Sequence, residues 1–308
     1  MGKIGFFFAG QGAQYAGMGQ SLYESSKAAK EVFDAAETIR PGTIAQCFFG
    51  TAEQLLVTIN TQPCLFAVDY ACAAALKEAG VHADMAAGFS LGEVPAAAFC
   101  GILTFEDAFR LVIKRAEYMH ECARKYPGSM VAVLRVDAQI VDRVAQQFEN
   151  VYPVNYNCPN QTVVSGSDLV LPSFGAAMQE AGGRLMPLKV SGSFHSPYME
   201  EAAMKLTAYM EDVAFYPPRI PLYANATALP YHGDPSALLA RQVKSPVYFQ
   251  KSVENMLHDG LTTCIEVGAG KTLCGLINKT GGAARVLNVQ DAPSLEAALA
   301  ALREDGVC

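Results

Sequence analysis

The pentapeptide Gly88-Phe89-Ser90-Leu91-Gly92 is the segment of this 308-residue sequence whose residue types and spacing most directly suggest chemistry. G-x-S-x-G is the pattern of a nucleophile elbow, in which glycines permit a sharp strand-to-helix turn that exposes the serine hydroxyl. The flanks supply that context. A short apolar strand over Met85–Gly88 precedes the serine, and an Ala-rich helical stretch from Val94 to Phe99 follows, with Pro95 in the first turn, where a missing N–H costs little. A serine hydroxyl is a poor nucleophile at neutral pH unless a base takes its proton. Of the five histidines, His195 is the candidate base. It lies in Ser191-Gly192-Ser193-Phe194-His195-Ser196-Pro197, a small-residue loop between a predicted strand and helix, where catalytic groups are usually presented. His82 follows a helix end, His120 sits within a helix, and His232 and His258 lie in polar, surface-like stretches. The pair predicts nucleophilic acyl chemistry, open at this point to transfer or hydrolysis.

The elements that must position these groups follow an α/β rhythm. Ile4–Ala9 reads as a buried strand running into the turn Gly10-Gln11-Gly12. A helix capped by Thr61, with Pro63 in its first turn, is predicted to run to Gly80. From Pro127-Gly128 the order changes: strand Met130–Val136, helix Ala138–Glu149, strands Val151–Tyr156 and Thr162–Ser165, helix Asp168–Ala181, strand Arg184–Val190. That βαββαβ order predicts a small ferredoxin-like subdomain over residues 127–190, inserted in a larger α/β domain formed by residues 1–126 and 191–308. Strands near Ile220–Ala224, Thr262–Val267 and Arg285–Val289 then complete a mostly parallel sheet.

Composition narrows the functional classes. Hydrophobic residues make up 51% and charged residues 17%, which excludes a disordered chain. No apolar run approaches the ~20 residues that cross a bilayer, and Ile4–Ala9 is too short for a signal-peptide core, so a cytoplasmic protein without membrane contact is expected. The net charge of −7 argues against a general nucleic-acid binder. Nine cysteines without a C-x-x-C pair, Cys64, Cys72 and Cys100 among them, read as reduced core thiols. Cysteines and histidines alike lack metal-ligand spacing, and no metal is expected. Gly270-Lys271-Thr272 lacks the first glycine of a P-loop, whose place Ile265 takes, and Gly10-x-Gly12 has Tyr15 where a dinucleotide fingerprint needs its third glycine.

Taken together, Gly10-Gln11-Gly12-Ala13-Gln14, the elbow with Glu93, Arg115, Asn155-x-Asn157-x-Pro159-x-Gln161, Phe194-His195-Ser196 and Gln242 resemble the malonyl-CoA:acyl carrier protein transacylases, in the family's order and over nearly the whole chain. The resemblance implies a hydrolase-like core and a ping-pong transfer of malonyl from malonyl-CoA to an acyl carrier protein for fatty acid synthesis. It also implies a monomer that uses malonyl-CoA as substrate and needs no cofactor. The same residues would serve a trans-acting acyltransferase of a polyketide synthase. The elbow alone would serve a serine hydrolase of thioesters or esters, or survive as a relic in a carrier-protein docking subunit.

The resemblance also assigns roles. Ser90 is acylated, His195 moves the proton, and the backbone N–H groups of Gln11 and Leu91 form an oxyanion hole. A main-chain carbonyl at Gln242 orients the histidine in place of an acidic triad member. Arg115 grips the malonyl carboxylate, a task suited to a planar guanidinium. At ~100° per residue it falls on the margin of the apolar stripe Phe109, Val112, Ala116 and Met119, whereas Lys114 points away. Phe89, Phe194, Asn157 and Met119 are expected to line the pocket. The aromatic Phe194 would crowd an α-methyl substituent, and Phe89 stands where the family usually has histidine. Lys189, Lys244 and Lys251 are candidates for receiving an acidic carrier.

Overall fold

A computed structural model of the chain describes residues 2–190, 192–283 and 285–304. Ser191 of the predicted histidine loop and Cys308 lie outside the described residues.

Strand β1 (Lys3–Phe8) is buried from Ile4 onward and forms the centre of a five-stranded parallel sheet. Its neighbours are β2 (Met85–Gly88) and β8 (Leu261–Val267), flanked by β7 (Leu222–Tyr223) and β9 (Arg285–Val289), in the order β7-β2-β1-β8-β9. A parallel strand covered on both faces needs a continuous apolar run rather than an alternating one, which Ile4-Gly5-Phe6-Phe7-Phe8 provides. Phe6 and Phe8 pack on Phe99 at ring distances of 5.4 and 5.6 Å, while Phe7 meets Phe249 on the other face at 6.1 Å.

A second, antiparallel sheet has the order β4-β5-β3-β6, built from β3 (Ser129–Leu134), β4 (Val151–Cys158), β5 (Gln161–Gly166) and β6 (Arg184–Pro187). Helices Ala138–Ala145 and Leu171–Glu180 pack on it through Val141, Val144, Phe174 and Met178. The segment leading into helix Phe249–His258 ties that helix to β4: Val247 N donates to Val154 O at 2.8 Å and Tyr156 N donates to Val247 O at 2.9 Å.

Some predicted boundaries shift. The helix expected to be capped by Thr61 spans Thr58–Glu78 with Pro63 inside it, and its N-cap, Val57, makes no side-chain cap bond. Thr61 instead donates its hydroxyl to Leu55 O at 2.5 Å. The strand expected over Ile220–Ala224 is only Leu222–Tyr223, because the main chain turns at Ala224 to accept from Thr227 and Ala228 N–H groups. The strand expected to reach Val190 ends at Pro187, and the helix expected to reach Glu149 ends at Ala145. The eight described cysteines are free, seven of them buried. Among the described residues no helix is long and apolar enough to cross a membrane.

Candidate active site

Strand register brings the site together. Parallel pairing aligns Phe8 with Gly88, so Gly10 and Gln11, just past the end of β1, run beside Ser90, just past the end of β2. On the other side Ala87 pairs with Tyr223, which carries Asn225 alongside the elbow. Ser90 has a left-handed φ of 52°, a conformation L-residues adopt at a cost and one expected of an exposed nucleophile. The glycines permit it. A Cβ at Gly88 would overlap the main chain of Gly92 and Glu93, and one at Gly92 would overlap the Phe8 and Ala9 carbonyls. Asn225 braces both ends: Ser90 N donates to its Oδ1 at 2.7 Å, and its Nδ2 donates to Gly88 O at 2.6 Å.

His195 comes from the loop between β6 and helix Glu200–Met210, with a left-handed φ of 61°. Ser196 steadies that loop by donating to Ser193 O at 2.6 Å and accepting from Tyr198 N. The imidazole Nε2 lies 2.7 Å from Ser90 Oγ, and Nδ1 lies 2.9 Å from the carbonyl of Gln242. Gln242 lies in the last turn of helix Pro235–Val243, where the carbonyls have no intrahelical donors and can accept elsewhere. A carbonyl only accepts, so the proton sits on Nδ1 and Nε2 offers its lone pair to the serine. Burial, with the Arg115 charge beside it, pushes the His195 pKa down to about 4.

Arg115 lies in the middle of helix Phe105–Lys125 and is only 2% exposed, whereas Lys114 points outward to Glu117 at 2.8 Å. The stripe argument therefore placed both side chains correctly. Nη1 of Arg115 donates to Gln62 Oε1 at 2.8 Å, and Nη2 donates to Gln242 Oε1 at 2.9 Å and to Ser90 Oγ at 3.2 Å. Its buried Nε has no acceptor, and among the described residues no carboxylate forms an ion pair with it. Burial lowers its pKa to about 10, against the pull of Glu93, so it stays charged at neutral pH.

A cavity of about 270 Å³ opens between the two sheets above Ser90 and His195. Gln11, Phe89, Phe194, Met119 and Asn157 all line it, as do Gln62 and Asn155. Phe89 leans on Phe249 at a ring distance of 5.4 Å and lies directly over Gly10. Neither Gln11 N nor Leu91 N donates to another group among the described residues. Of the candidate lysines, Lys244 pairs with Glu200 at 2.6 Å and Lys251 with Glu254 at 3.4 Å, while Lys189 is exposed. Among the described residues no cluster of three or more His, Cys, Asp or Glu side chains is placed to hold a metal.

The sequence reading missed Gln62 and Asn225, assigned no role to Glu93, and gave Gln242 a carbonyl but no side-chain role. The Gln242 amide donates from Nε2 to Ser90 O at 2.5 Å and to Glu93 Oε2 at 2.9 Å. The chemistry this arrangement can perform is addition of the serine oxygen to a carbonyl, with a proton carried by imidazole and an anion held next to the nucleophile.

The acyl transferase domain family matches this chain over residues 5–301. The malonyl CoA-acyl carrier protein transacylase of Bacillus subtilis is 38% identical over 313 aligned residues, 99% of each chain. The crystal structure of the malonyl CoA-acyl carrier protein transacylase from Clostridium perfringens superposes with a TM-score of 0.95 at 36% identity, covering 99% of this chain and 98% of that one. A malonyl-transacylase solved in complex with its type II polyketide synthase acyl-carrier protein matches with a TM-score of 0.93 at 30% identity, covering 97% and 99%. The chain thus belongs to the acyl transferase domain family and, within it, to the malonyl CoA-acyl carrier protein transacylases.

Proposed function

We propose that this chain transfers the malonyl group of malonyl-CoA to the phosphopantetheine thiol of an acyl carrier protein, through a malonyl ester on Ser90, for fatty acid synthesis. The observation that carries this reading is Arg115: a buried cation without a carboxylate partner, 3.2 Å from the serine oxygen that would bear the acyl group. A neutral acyl group gives such a cation nothing to bind, whereas a malonyl group carries a carboxylate at the acyl end remote from the thioester.

Ser90 Oγ attacks the thioester carbonyl as His195 Nε2 takes its proton. The developing oxyanion is received by the N–H groups of Gln11 and Leu91, whose removal from such a site typically costs ~10²–10³ in rate. The C–S bond breaks and imidazolium returns the proton to the CoA sulfur. The carrier thiol then repeats the steps in reverse order. Every proton and charge in this scheme is handled by the chain itself, so it calls for no cofactor. Phe194 against the cavity supports a preference for malonyl over methylmalonyl of the size one methyl gives, ~1–3 kcal/mol.

The architectural reading belongs to the same proposal. An elbow at the carboxyl end of a parallel strand supports a hydrolase-like large domain of residues 1–126 and 191–308. The strand order β4-β5-β3-β6, with a helix after β3 and another after β5, supports a ferredoxin-like unit over residues 127–190. We place the protein in the cytoplasm as a monomer. The polyketide-associated neighbour favours a second reading, in which the same chemistry serves a polyketide carrier.

Incubation with malonyl-CoA should produce a covalent mass increase on Ser90 that a carrier protein discharges faster than water does. A protein with intact fold that gains no such adduct, or one that hydrolyses acetyl and malonyl thioesters alike, would falsify the transfer reading.

A further inference from the structure

Glu93 is fully buried beneath the elbow. Its Oε1 accepts from the Tyr231 hydroxyl at 2.6 Å, and its Oε2 accepts from Gln242 Nε2 at 2.9 Å and Asn225 N at 3.2 Å. Through the Gln242 amide it reaches Arg115, whose Nη2 donates to Gln242 Oε1 at 2.9 Å. Glu93 is thus the anion that balances Arg115 in the resting enzyme, one amide removed. The other titratable groups facing this cluster are neutral: Tyr231 and, beyond it, Cys100, both with pKa raised chiefly by burial, and His195, held deprotonated by burial and by Arg115.

Acylation by malonyl adds a carboxylate beside an Arg115 that Glu93 already balances. Glu266, a buried carboxylate lining the cavity, is held apart from this cluster by the N–H groups of Leu273 and Cys274 at 3.0 and 2.7 Å. One uncompensated negative charge in such a place costs far more than in water, and buried groups relieve that cost by taking up a proton. Glu93 is poised for it. Burial has already pushed its pKa up to about 7, against the pull of Tyr231, Gln242, Asn225 and Arg115, and the Tyr231 hydroxyl can turn to accept from a protonated carboxyl.

We propose that malonylation of Ser90 is coupled to proton uptake by Glu93, a positioning residue, so that the Arg115–Glu93 balance gives way to an Arg115–malonyl pair beside a neutral Glu93. The inference rests on the malonyl-transfer reading. The covalent step is unchanged: the Ser90 ester bond forms, the thioester C–S bond breaks, and the serine proton leaves on the CoA thiol by way of His195. Glu93 takes a separate proton from solvent.

The test mixes the protein with malonyl-CoA in weakly buffered solution slightly above pH 7, following an indicator dye while mass spectrometry counts the malonyl-serine. Uptake approaching one proton per adduct is expected, with the equilibrium yield of adduct falling as pH rises. Glu93→Gln should form adduct without uptake. Tyr231→Phe, which removes a donor to the carboxylate, should move the uptake window to higher pH. Stoichiometric malonyl-serine in the unmodified protein with no proton consumed overturns the coupling alone. Failure to form the adduct at all overturns it together with the transfer reading.

Discussion

His195 Nδ1 sits 2.9 Å from the main-chain carbonyl of Gln242, so the orientation of the base depends on a backbone atom at a helix end rather than on a carboxylate. A carbonyl fixes the tautomer but adds no negative charge to stabilise imidazolium. Burial, and after it the nearby Arg115 charge, favour the neutral ring, and its pKa falls to about 4.

The base should therefore remain available well into acid. Because protonation destroys it, the rate of Ser90 modification should be flat from pH 8 downward and fall through about pH 4, not near the ordinary histidine value of 6.5. A neutral serine-directed fluorophosphonate reads this limb without engaging Arg115. A midpoint near 6.5 would show an imidazole that neither burial nor Arg115 disfavours in its charged form, contrary to this geometry.

Since the contact to His195 is main-chain, Gln242→Ala should keep the base in place. It removes the amide that joins Arg115, Ser90 O and Glu93. Hydrogen bonds to charged groups contribute ~1.5–3 kcal/mol, so kcat/KM for malonyl-CoA should drop about 10- to 100-fold. The fluorophosphonate should still react at a rate close to that of the parent. Equal losses with both reagents would mean that the side chain, not the carbonyl, supports the histidine.

Arg115→Ala should cost malonyl transfer a similar factor, about 10- to 100-fold, while acetyl-CoA gains relative to it. Arg115→Lys should not restore the parent activity, because a point-charge ammonium cannot occupy the Gln62, Gln242 and Ser90 positions of a planar fork. Competition between the two thioesters at equal concentration, read as the ratio of acetyl- to malonyl-serine, decides it. An unchanged ratio would remove Arg115 from substrate selection.

Some of this site was legible in the sequence because its chemistry is written locally. An elbow needs its glycines two residues either side of the serine, and an inward arginine needs a stripe of apolar residues at helical spacing. Gln62 and Asn225 carried no such mark. Their partners lie 53 and 135 residues away, and nothing in a local pattern distinguishes an amide that will brace a buried cation from one that faces water. The fold shows the same division. The buried strands Ile4–Phe8 and Met85–Gly88 announce themselves by unbroken apolar runs, whereas β7 has two residues and is defined by its pairing to β2. The helix beginning at Thr58 starts without a side-chain cap, so Thr61 offered the more conspicuous but incorrect signal.

Gly88→Ala and Gly92→Ala test the packing of the elbow. The added methyl would meet main-chain atoms of Gly92 and Glu93 in one case and the Phe8 and Ala9 carbonyls in the other, and backbone at the sheet's centre cannot yield as a flexible side chain can. Overpacking of this kind typically costs ~1–3 kcal/mol. Lower denaturant midpoints are expected for both variants, together with loss of Ser90 reactivity. Parent-like midpoints would mean that the turn is looser than its contacts imply.

Gln62 offers the sharpest separation of anion binding from general folding. Its Oε1 accepts from Arg115 Nη1 at 2.8 Å, a neutral contact that holds the guanidinium without neutralising it. Gln62→Glu keeps the shape but places a carboxylate of the chain's own on the cation, in competition with the carboxylate of the substrate. Malonylation should fall by at least the 10- to 100-fold expected for Arg115→Ala, while the fluorophosphonate rate stays near the parent value, since Ser90 and His195 are untouched. Gln62→Ala, which leaves Nη1 buried without its partner, should raise KM for malonyl-CoA while impairing selection less. If Gln62→Glu takes up malonyl as readily as the parent, the cation at Arg115 is not what the incoming carboxylate meets.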